Sequence, residues 1–388
     1  MWEHRGIGTS EALLIAVLTL AEFVRGALLI SLLPAYVTGP LGQSLTVVGW
    51  AVSSHYLLDT VFRGPAGWLV DWLGPPRVLT IGLAIEVSAL VGAMNTTHPV
   101  MVVVFVGLLG IGTATHWPAV VTGTNRLTDP ERRASVMGMV FAAWIAGSGF
   151  GPVAINFLLR GHDHLAFLIL VLTDVVAFAV TLVIYDPRLF RTNAVHMHWK
   201  GRLSIVRPFW MILPGMFLQN MTLGMMLPIV RPFTTNVLHL SPFRFAELLF
   251  GSGALTVLLL VPMGRITDRF GLRVPLVGGM FVAGAALSAI GVLRAFLPLM
   301  LAGGVAGLSY AMILPAWNAF VAALIPKRHE GWLWGFFMTV EGLGMAVGPI
   351  LGTRLYGLAP WMPFLLSAAI LTTMGFFYII YVPVRPAR

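Results

Sequence analysis

Runs of about 20 apolar residues, long enough to cross a bilayer at roughly 1.5 Å rise per residue, alternate with short polar turns along the whole chain. The pattern predicts helices over 12–37, 45–70, 78–96, 100–124, 134–158 and 164–185. After one long polar stretch, 186–206, six more follow over 208–232, 243–264, 274–293, 297–324, 334–356 and 360–383. The chain therefore reads as a six-helix bundle over 1–185, a cytoplasmic linker over 186–206 and a second six-helix bundle over 207–388. The first run is too long and too charged for a signal peptide and is expected to stay as helix 1.

Composition sharpens this. Of 388 residues 58% are hydrophobic and 10% charged, with a mean hydropathy of +0.88. A soluble domain carries about 25% charged residues, so this is an all-α membrane protein of about twelve spans. There is no cysteine, which excludes disulfides, thiolate zinc sites and cysteine nucleophiles. The net charge of +9 would suit nucleic acid, but its placement does not. Basic residues gather in alternate loops: Arg126, Arg132 and Arg133; Arg188, Arg191, Lys200, Arg202 and Arg207; Arg265, Arg269 and Arg273; Lys327 and Arg328; Arg385 and Arg388. That bias places both termini in the cytoplasm, and the linker's cations can meet anionic lipid of the inner leaflet.

The halves repeat. Gly67, Asp71 and Gly74, followed by Arg77, recur as Gly264, Asp268 and Gly271 at an offset of 197, with Arg269 and Arg273 beside them. The same offset pairs Pro118 with Pro315, Gly138 with Gly335, Gly147 with Gly344, and Gly151-Pro152 with Gly348-Pro349. One constant offset across several loops indicates two parallel repeats. On these residues the chain resembles the major facilitator superfamily over essentially its whole length. The resemblance implies that Asp71, Arg77, Asp268, Arg269 and Arg273 hold a cytoplasmic gate. Trp72 and Pro75-Pro76 stand where that family usually has basic residues, which is expected to weaken the first copy.

Charge inside the apolar runs marks candidate chemistry, because a charge near the bilayer centre costs on the order of 3 kcal/mol or more. Glu22 and Arg25 lie three apart in helix 1, on one face. Asp59 sits deep in helix 2 with His55 one turn before it. The pair in helix 1 reads either as part of a wet, titratable pocket or as an intrahelical brace. At offset 197 Asp59 falls on Thr256, His55 on Ser252 and Trp117 on Leu314. For helix 7 the register stays open, since offsets of 194, 197 and 198 put Glu22 on Met216, Gln219 or Asn220, all uncharged. A polar, aromatic amino-terminal wall and an apolar carboxy-terminal one suit an amphiphile, with Trp117 and Trp144 as stacking faces for a sugar. Glu341, the counterpart of Trp144, reads as a second proton site or as a partner of Arg354 or the backbone. Asn318 is a candidate cavity donor. Glu86 in helix 3 and Asp174 in helix 6 read as structural groups or proton-path accessories, His116 as a packing residue, and Arg231 as an outer-mouth or interface residue. No metal cluster, nucleotide loop or nucleophile–base pair is evident, so neither cofactor nor enzymatic activity is expected.

A narrower resemblance rests on Ala21-Glu22-Phe23-Val24-Arg25-Gly26, His55-Tyr56-Leu57-Leu58-Asp59, Phe141-Ala142-Ala143-Trp144 and Leu314-Pro315-Ala316-Trp317-Asn318. These are similar to the glycolipid flippases of lipoteichoic acid synthesis in Gram-positive bacteria. That resemblance implies a proton-coupled antiporter in the cell membrane, monomeric, moving a diglucosyl-diacylglycerol anchor, with Glu22, Arg25, Asp59, Trp117 and Trp144 around the headgroup. Burial and a nearby guanidinium act on a carboxylate's proton affinity in opposite senses, so a site opening alternately to each side can load and unload protons. A proton-driven exporter of small amphiphilic drugs would share the acidic pocket and is the alternative.

Overall fold

The first apolar run forms α1, Thr9–Thr38, and the rest of the first half follows as α2 (Leu45–Leu73), α3 (Pro75–Asn95), α4 (Pro99–Leu127), α5 (Arg133–Asn156) and α6 (Asp163–Val183). The computed structural model describes residues 8–129, 132–157, 162–190, 206–325 and 330–381. The second half contains α7 (Leu213–Met226, bent by 44° into Val230–Val237), α8 (Pro242–Phe270), α9 (Arg273–Val292), α10 (Phe296–Leu324), α11 (Glu330–Leu358) and α12 (Met362–Tyr381). Among the described residues ten helices are long and apolar enough to cross a membrane, and the bent α7 makes an eleventh when its two parts are taken as one span. The helix that falls short of that test is α2. Its 29 residues are ample in length, but they include His55, Asp59, Arg63 and Asp71. His55 and Asp59 are buried inside the unit, so that α2 turns its polar groups toward protein.

The chain divides into two compact units, Met1–Lys200 and Gly201–Arg388. Most of the expected linker, 191–205, lies outside the described residues. Within the first unit α1 packs on α5 and α6, α2 on α4, and α3 on α4 and α6. Within the second, α7 packs on α11 and α12, α8 on α10, and α9 on α10 and α12. The second set is the first moved on by six helices, the structural form of the repeat.

Proline at the first helical position and glycine past the last set several ends. Pro75, Pro99 and Pro242 open α3, α4 and α8, where a missing N–H costs nothing. Gly74 and Gly271 close α2 and α8 with the same φ of 86°, a conformation that a Cβ disfavours. This corrects the expected loop location of the paired motif. Gly67 to Asp71 and Gly264 to Arg269 are helical, and the chain leaves the helix only at the glycines.

Glycine also fixes the register between repeats. In α5 a Cβ on Gly147 would collide with Thr19 O of α1, and one on Gly151 with Phe23 O; in α11 the equivalents Gly344 and Gly348 meet Phe217 O and Met221 O of α7. Reciprocally, Gly26 abuts Ser148 O and Gly224 abuts Met345 O. The inner part of α1 therefore maps onto α7 at an offset of 198, which places Glu22 on Asn220 and Arg25 on Leu223. Farther along, Tyr36 meets Phe167 edge-on with centroids 4.9 Å apart, and Phe233 meets Phe364 at a tilt with centroids 4.6 Å apart, an offset of 197. The first half thus holds one extra residue between these landmarks. The π-helical turn Ala27–Leu32 lies in that interval, and its wider i→i+5 winding absorbs the insertion.

Candidate functional site

Two acid–cation pairs lie inside the first unit. On α1, Arg25 Nε donates to Glu22 Oε2 at 2.9 Å, and Nη2 donates to the same oxygen. On α2, Arg63 Nη2 donates to Asp59 Oδ2 at 2.6 Å. Both carboxylates are buried, with Glu22 4% and Asp59 3% exposed. Tyr56 feels all four charges at once, Arg25, Glu22, Asp59 and Arg63, so the pairs form one electrostatic group. Asp59 has its own guanidinium, Arg63, one helical turn away. The spacing from Asp59 to Arg63 is i to i+4, a pair readable from sequence alone, and it was missed because Arg63 lies near the end of its apolar run.

Aromatic residues stand beside this group. Trp117 of α4 meets Phe141 and Trp144 of α5 edge-on, with centroids 5.1 and 6.4 Å apart. Trp144 shares its helix with Gly147, whose site for a Cβ lies 3.0 Å from Glu22 Cβ. The structure thus brings Glu22, Arg25, Asp59, Trp117 and Trp144 into one unit on packed helices. His55 is fully buried, its ring edge-on to Tyr56 at 5.1 Å.

The matched positions of the second unit carry no charge. Thr256, the counterpart of Asp59, donates its hydroxyl to Ser252 O and Gly307 O, each at 3.0 Å. The second unit is not wholly apolar, however. Trp317 Nε1 of α10 donates to Glu341 Oε1 of α11 at 2.8 Å, and Tyr310 and Tyr378 lie within the field of that carboxylate. Asn318, one residue on, is exposed.

Of the expected gate residues, Asp71 Oδ1 accepts from Arg126 Nη2 of α4 at 3.3 Å, and Arg77 lies over the Phe190 ring at 5.0 Å. Arg126 Nη1 also donates to Leu189 O at 2.9 Å. Arg188 Nη1 donates to Leu127 O at 3.1 Å, and its guanidinium bonds Asp186, holding that carboxyl below the usual carboxylate range. Arg126 thus ties the end of α2 to the start of the segment after α6. In the second copy Asp268 is exposed and has no ion pair among the described residues, Arg273 is half-buried, and Arg269 covers Phe270 at 5.4 Å. No group of three or more His, Asp or Glu residues is arranged to hold a metal among the described residues.

The Asp59–Arg63 pair carries a prediction. Arg63→Ala leaves a buried carboxylate uncompensated, a loss of about 3 kcal/mol. Thermal unfolding in detergent is expected to shift down clearly for the single variant and to recover in Asp59→Asn/Arg63→Ala. Equal melting of the single variant and the parent would show that the pair contributes nothing.

A repeated six-helix unit with ionisable groups buried in its first copy defines a secondary transporter of the inner-repeat type. The family model of the Major Facilitator Superfamily matches residues 14–241 and 212–388. The chain belongs to this superfamily and is a membrane transporter rather than an enzyme. It is 24% identical over 386 residues to the proton-coupled antiporter flippase LtaA of Staphylococcus haemolyticus (strain JCSC1435), covering 97% of this chain and 96% of that one. It is 23% identical over 346 residues to the protein of the same name from Staphylococcus aureus (strain NCTC 8325 / PS 47), covering 88% and 86%. Among solved structures, a mutant of the nucleoside transporter NupG matches with a TM-score of 0.79 at 14% identity, covering 97% of this chain and 100% of that one. A mutant of the peptide transporter POT in complex with alafosfalin matches with a TM-score of 0.76 at 13% identity, covering 98% and 96%. These two likenesses show the shared fold.

Proposed function

We propose that the chain is a proton-coupled antiporter that flips a glycolipid anchor across the cell membrane in lipoteichoic acid synthesis. One observation carries the reading. The first unit buries two acid–cation pairs beside two indoles, while the matched residues of the second, Asn220, Leu223 and Thr256, are uncharged. A disaccharide headgroup finds carboxylates, guanidinium and indole faces in the first unit, and acyl chains find apolar side chains in the second. The name shared by the two staphylococcal relatives, proton-coupled antiporter flippase, supports the same assignment.

Antiport follows from competition. Sugar hydroxyls bond to Glu22 and Asp59 best when these are ionised and accept. A proton on either acid turns one acceptor oxygen into a donor, cancels the negative charge that strengthened the sugar's bond, and loosens the hold on its guanidinium. Proton and headgroup therefore exclude each other, and a proton entering from the acidic outer side drives release there. His55, buried beside Asp59, passes protons to it. Asp71 with Arg126 and Arg77, and Asp268 with Arg269 and Arg273, hold the cytoplasmic side closed while the outer side is open. Both termini and the 186–206 linker lie in the cytoplasm, and the protein works as a monomer.

Proteoliposomes loaded with fluorescent diglucosyl-diacylglycerol test the reading. An inwardly or outwardly directed pH gradient is expected to change the rate of headgroup translocation at least severalfold. Flipping no faster than in protein-free vesicles under either gradient would refute it. The Trp317–Glu341 pair with Tyr310 and Tyr378 nearby favours a second reading, export of a small amphiphilic cation, since a carboxylate among aromatic rings suits that ligand. Efflux of a cationic dye with no glycolipid flipping would select it.

A further inference from the structure

We propose that His116, Glu86 and Asp174 form a buried proton store in the first unit, in which the resting place of the proton follows the charge state of Glu22–Arg25. The proposal rests on the proton-coupled reading above and extends it to residues outside the headgroup site. His116 of α4 and Glu86 of α3 are each 2% exposed, and Asp174 of α6 is not exposed at all. Thr113 Oγ1 donates to Glu86 Oε1 at 2.7 Å, and His116 Nε2 stands 3.4 Å from Glu86 Oε2. Both carboxyl oxygens of Asp174 lack a hydrogen-bond partner among the described residues. The helices that carry these groups pack in the order α4, α3, α6.

The charges facing each group define a route. His116 meets Glu86 of α3 directly, and its part of α4 packs on α1 and α2, within the field of Glu22, Arg25 and His55. Asp174 lies within the field of Glu86 across the packed helices α3 and α6. A proton moving from the His116 imidazolium to the Glu86 carboxylate leaves a neutral imidazole and a carboxylic acid. The pair has zero net charge before and after, so the transfer brings no unbalanced charge into an apolar interior. Among the described residues neither a cation nor a hydrogen-bond donor reaches the Asp174 carboxyl, and a carboxyl buried in that way avoids an unpaired charge by keeping its proton. Helix α1, which carries Glu22 and Arg25, packs on the part of α4 that carries His116, so a change of charge on Glu22 shifts the balance between the two forms of the His116–Glu86 pair. The state of the headgroup site thus sets where the stored proton rests.

The repeat separates this role from packing. At offset 197 the three residues fall on Ala283, Ile313 and Leu371. The register is secured by Gly82 and Gly279, which meet Thr115 and Met312, and by Phe167 and Phe364. All three counterparts are buried in the apolar core of the second unit. The same fold closes there with hydrocarbon, so helix packing does not call for an acid, an imidazole and a second acid in the first.

The test is a pH titration of the full-length protein in lipid bilayers, followed in the infrared carboxylic C=O stretch. The variants are Glu86→Ala, His116→Ile and Asp174→Leu, singly and combined, each installing the residue of the other repeat, with the conservative Glu86→Gln, His116→Gln and Asp174→Asn beside them. In the parent, a protonated-carboxyl band is expected to persist at neutral pH. It is expected to lose amplitude in the Glu86 and Asp174 variants, and its titration midpoint to move by a pH unit or more in the His116 variants. Amplitude and midpoint equal to the parent's in the folded variants of either set overturn the store. The infrared titration needs no transported lipid. A band lost in the variants while the parent flips no glycolipid would uphold the store and refute only the substrate. Where the parent does flip glycolipid, the triple variant is expected to flatten the pH dependence of its rate, and an unchanged pH profile counts against the store.

Discussion

Glu22→Gln is expected to reduce proton-driven glycolipid flipping at least tenfold and to bring the ratio of rates with and without a pH gradient down to one. Glutamine has nearly the shape of glutamate, and its carbonyl can still accept from Arg25 Nε. What it lacks is the ability to gain and lose a proton, and the negative charge that offsets the guanidinium. Arg25 is mostly buried, with 15% of its side chain exposed, so its charge matters to the whole unit. The measurement must therefore separate coupling from stability. A mere brace on α1 would lower the amount of folded protein and leave the gradient ratio of the surviving molecules at the parent's value. That result would sink the assignment of Glu22 as a proton carrier. Asp59→Asn is expected to behave alike, because Arg63 holds Asp59 as Arg25 holds Glu22.

The second large effect is on folding. Gly151→Leu is expected to abolish folded protein, and Gly151→Ala to lower the melting temperature by about 4–10 °C, from an overpacking cost of about 1–3 kcal/mol. The site for a Cβ at Gly151 is already occupied by Phe23 O and approaches Ala27 N to 3.0 Å. Backbone, unlike a flexible side chain, cannot turn aside, so α1 and α5 must separate. Gly138 supplies the control, since nothing lies within 4 Å of a Cβ placed there, and Gly138→Ala is expected to be neutral or slightly stabilising through its helix propensity. Gly335, its partner in the repeat, is equally open, and Gly348 is equally crowded. Similar melting of Gly151→Ala and Gly138→Ala in differential scanning fluorimetry would show that the backbone contact carries no stability.

Most of the architecture was legible because a membrane span announces itself by length and apolarity, and the 197-residue offset needed only glycines, prolines and aspartates in phase. Helix ends were read less well. Helix α2 runs to Leu73 rather than 70 because the winding breaks only at Gly74, the last glycine of the repeated motif. The site divides along a similar line. Glu22–Arg25 was legible because i to i+3 neighbours must meet on a helix. Asp71 with Arg126, Glu86 with His116, and Trp317 with Glu341 lie 55, 30 and 24 residues apart on different helices, and only packing brings them together. The register of α1 against α7 stayed open because it changes by one residue at the π turn, so no single offset serves the whole helix.

In each unit backbone-to-glycine contact rivets helices in pairs. Gly147 and Gly151 fasten α5 to α1, and Gly110 fastens α4 to α2 at His55 O. Gly344 and Gly348 fasten α11 to α7, and Gly307 fastens α10 to α8 at Ser252 O. Paired rods of this kind cannot slide along one another, but one pair can tilt against the next. Glu22, Arg25 and Trp144 ride on one pair; Asp59, Arg63 and Trp117 ride on the other. Whatever loosens or tightens this group of charges and indoles during turnover must therefore act along the seam between two stiff ribs, leaving distances within each rib constant and letting those across it breathe.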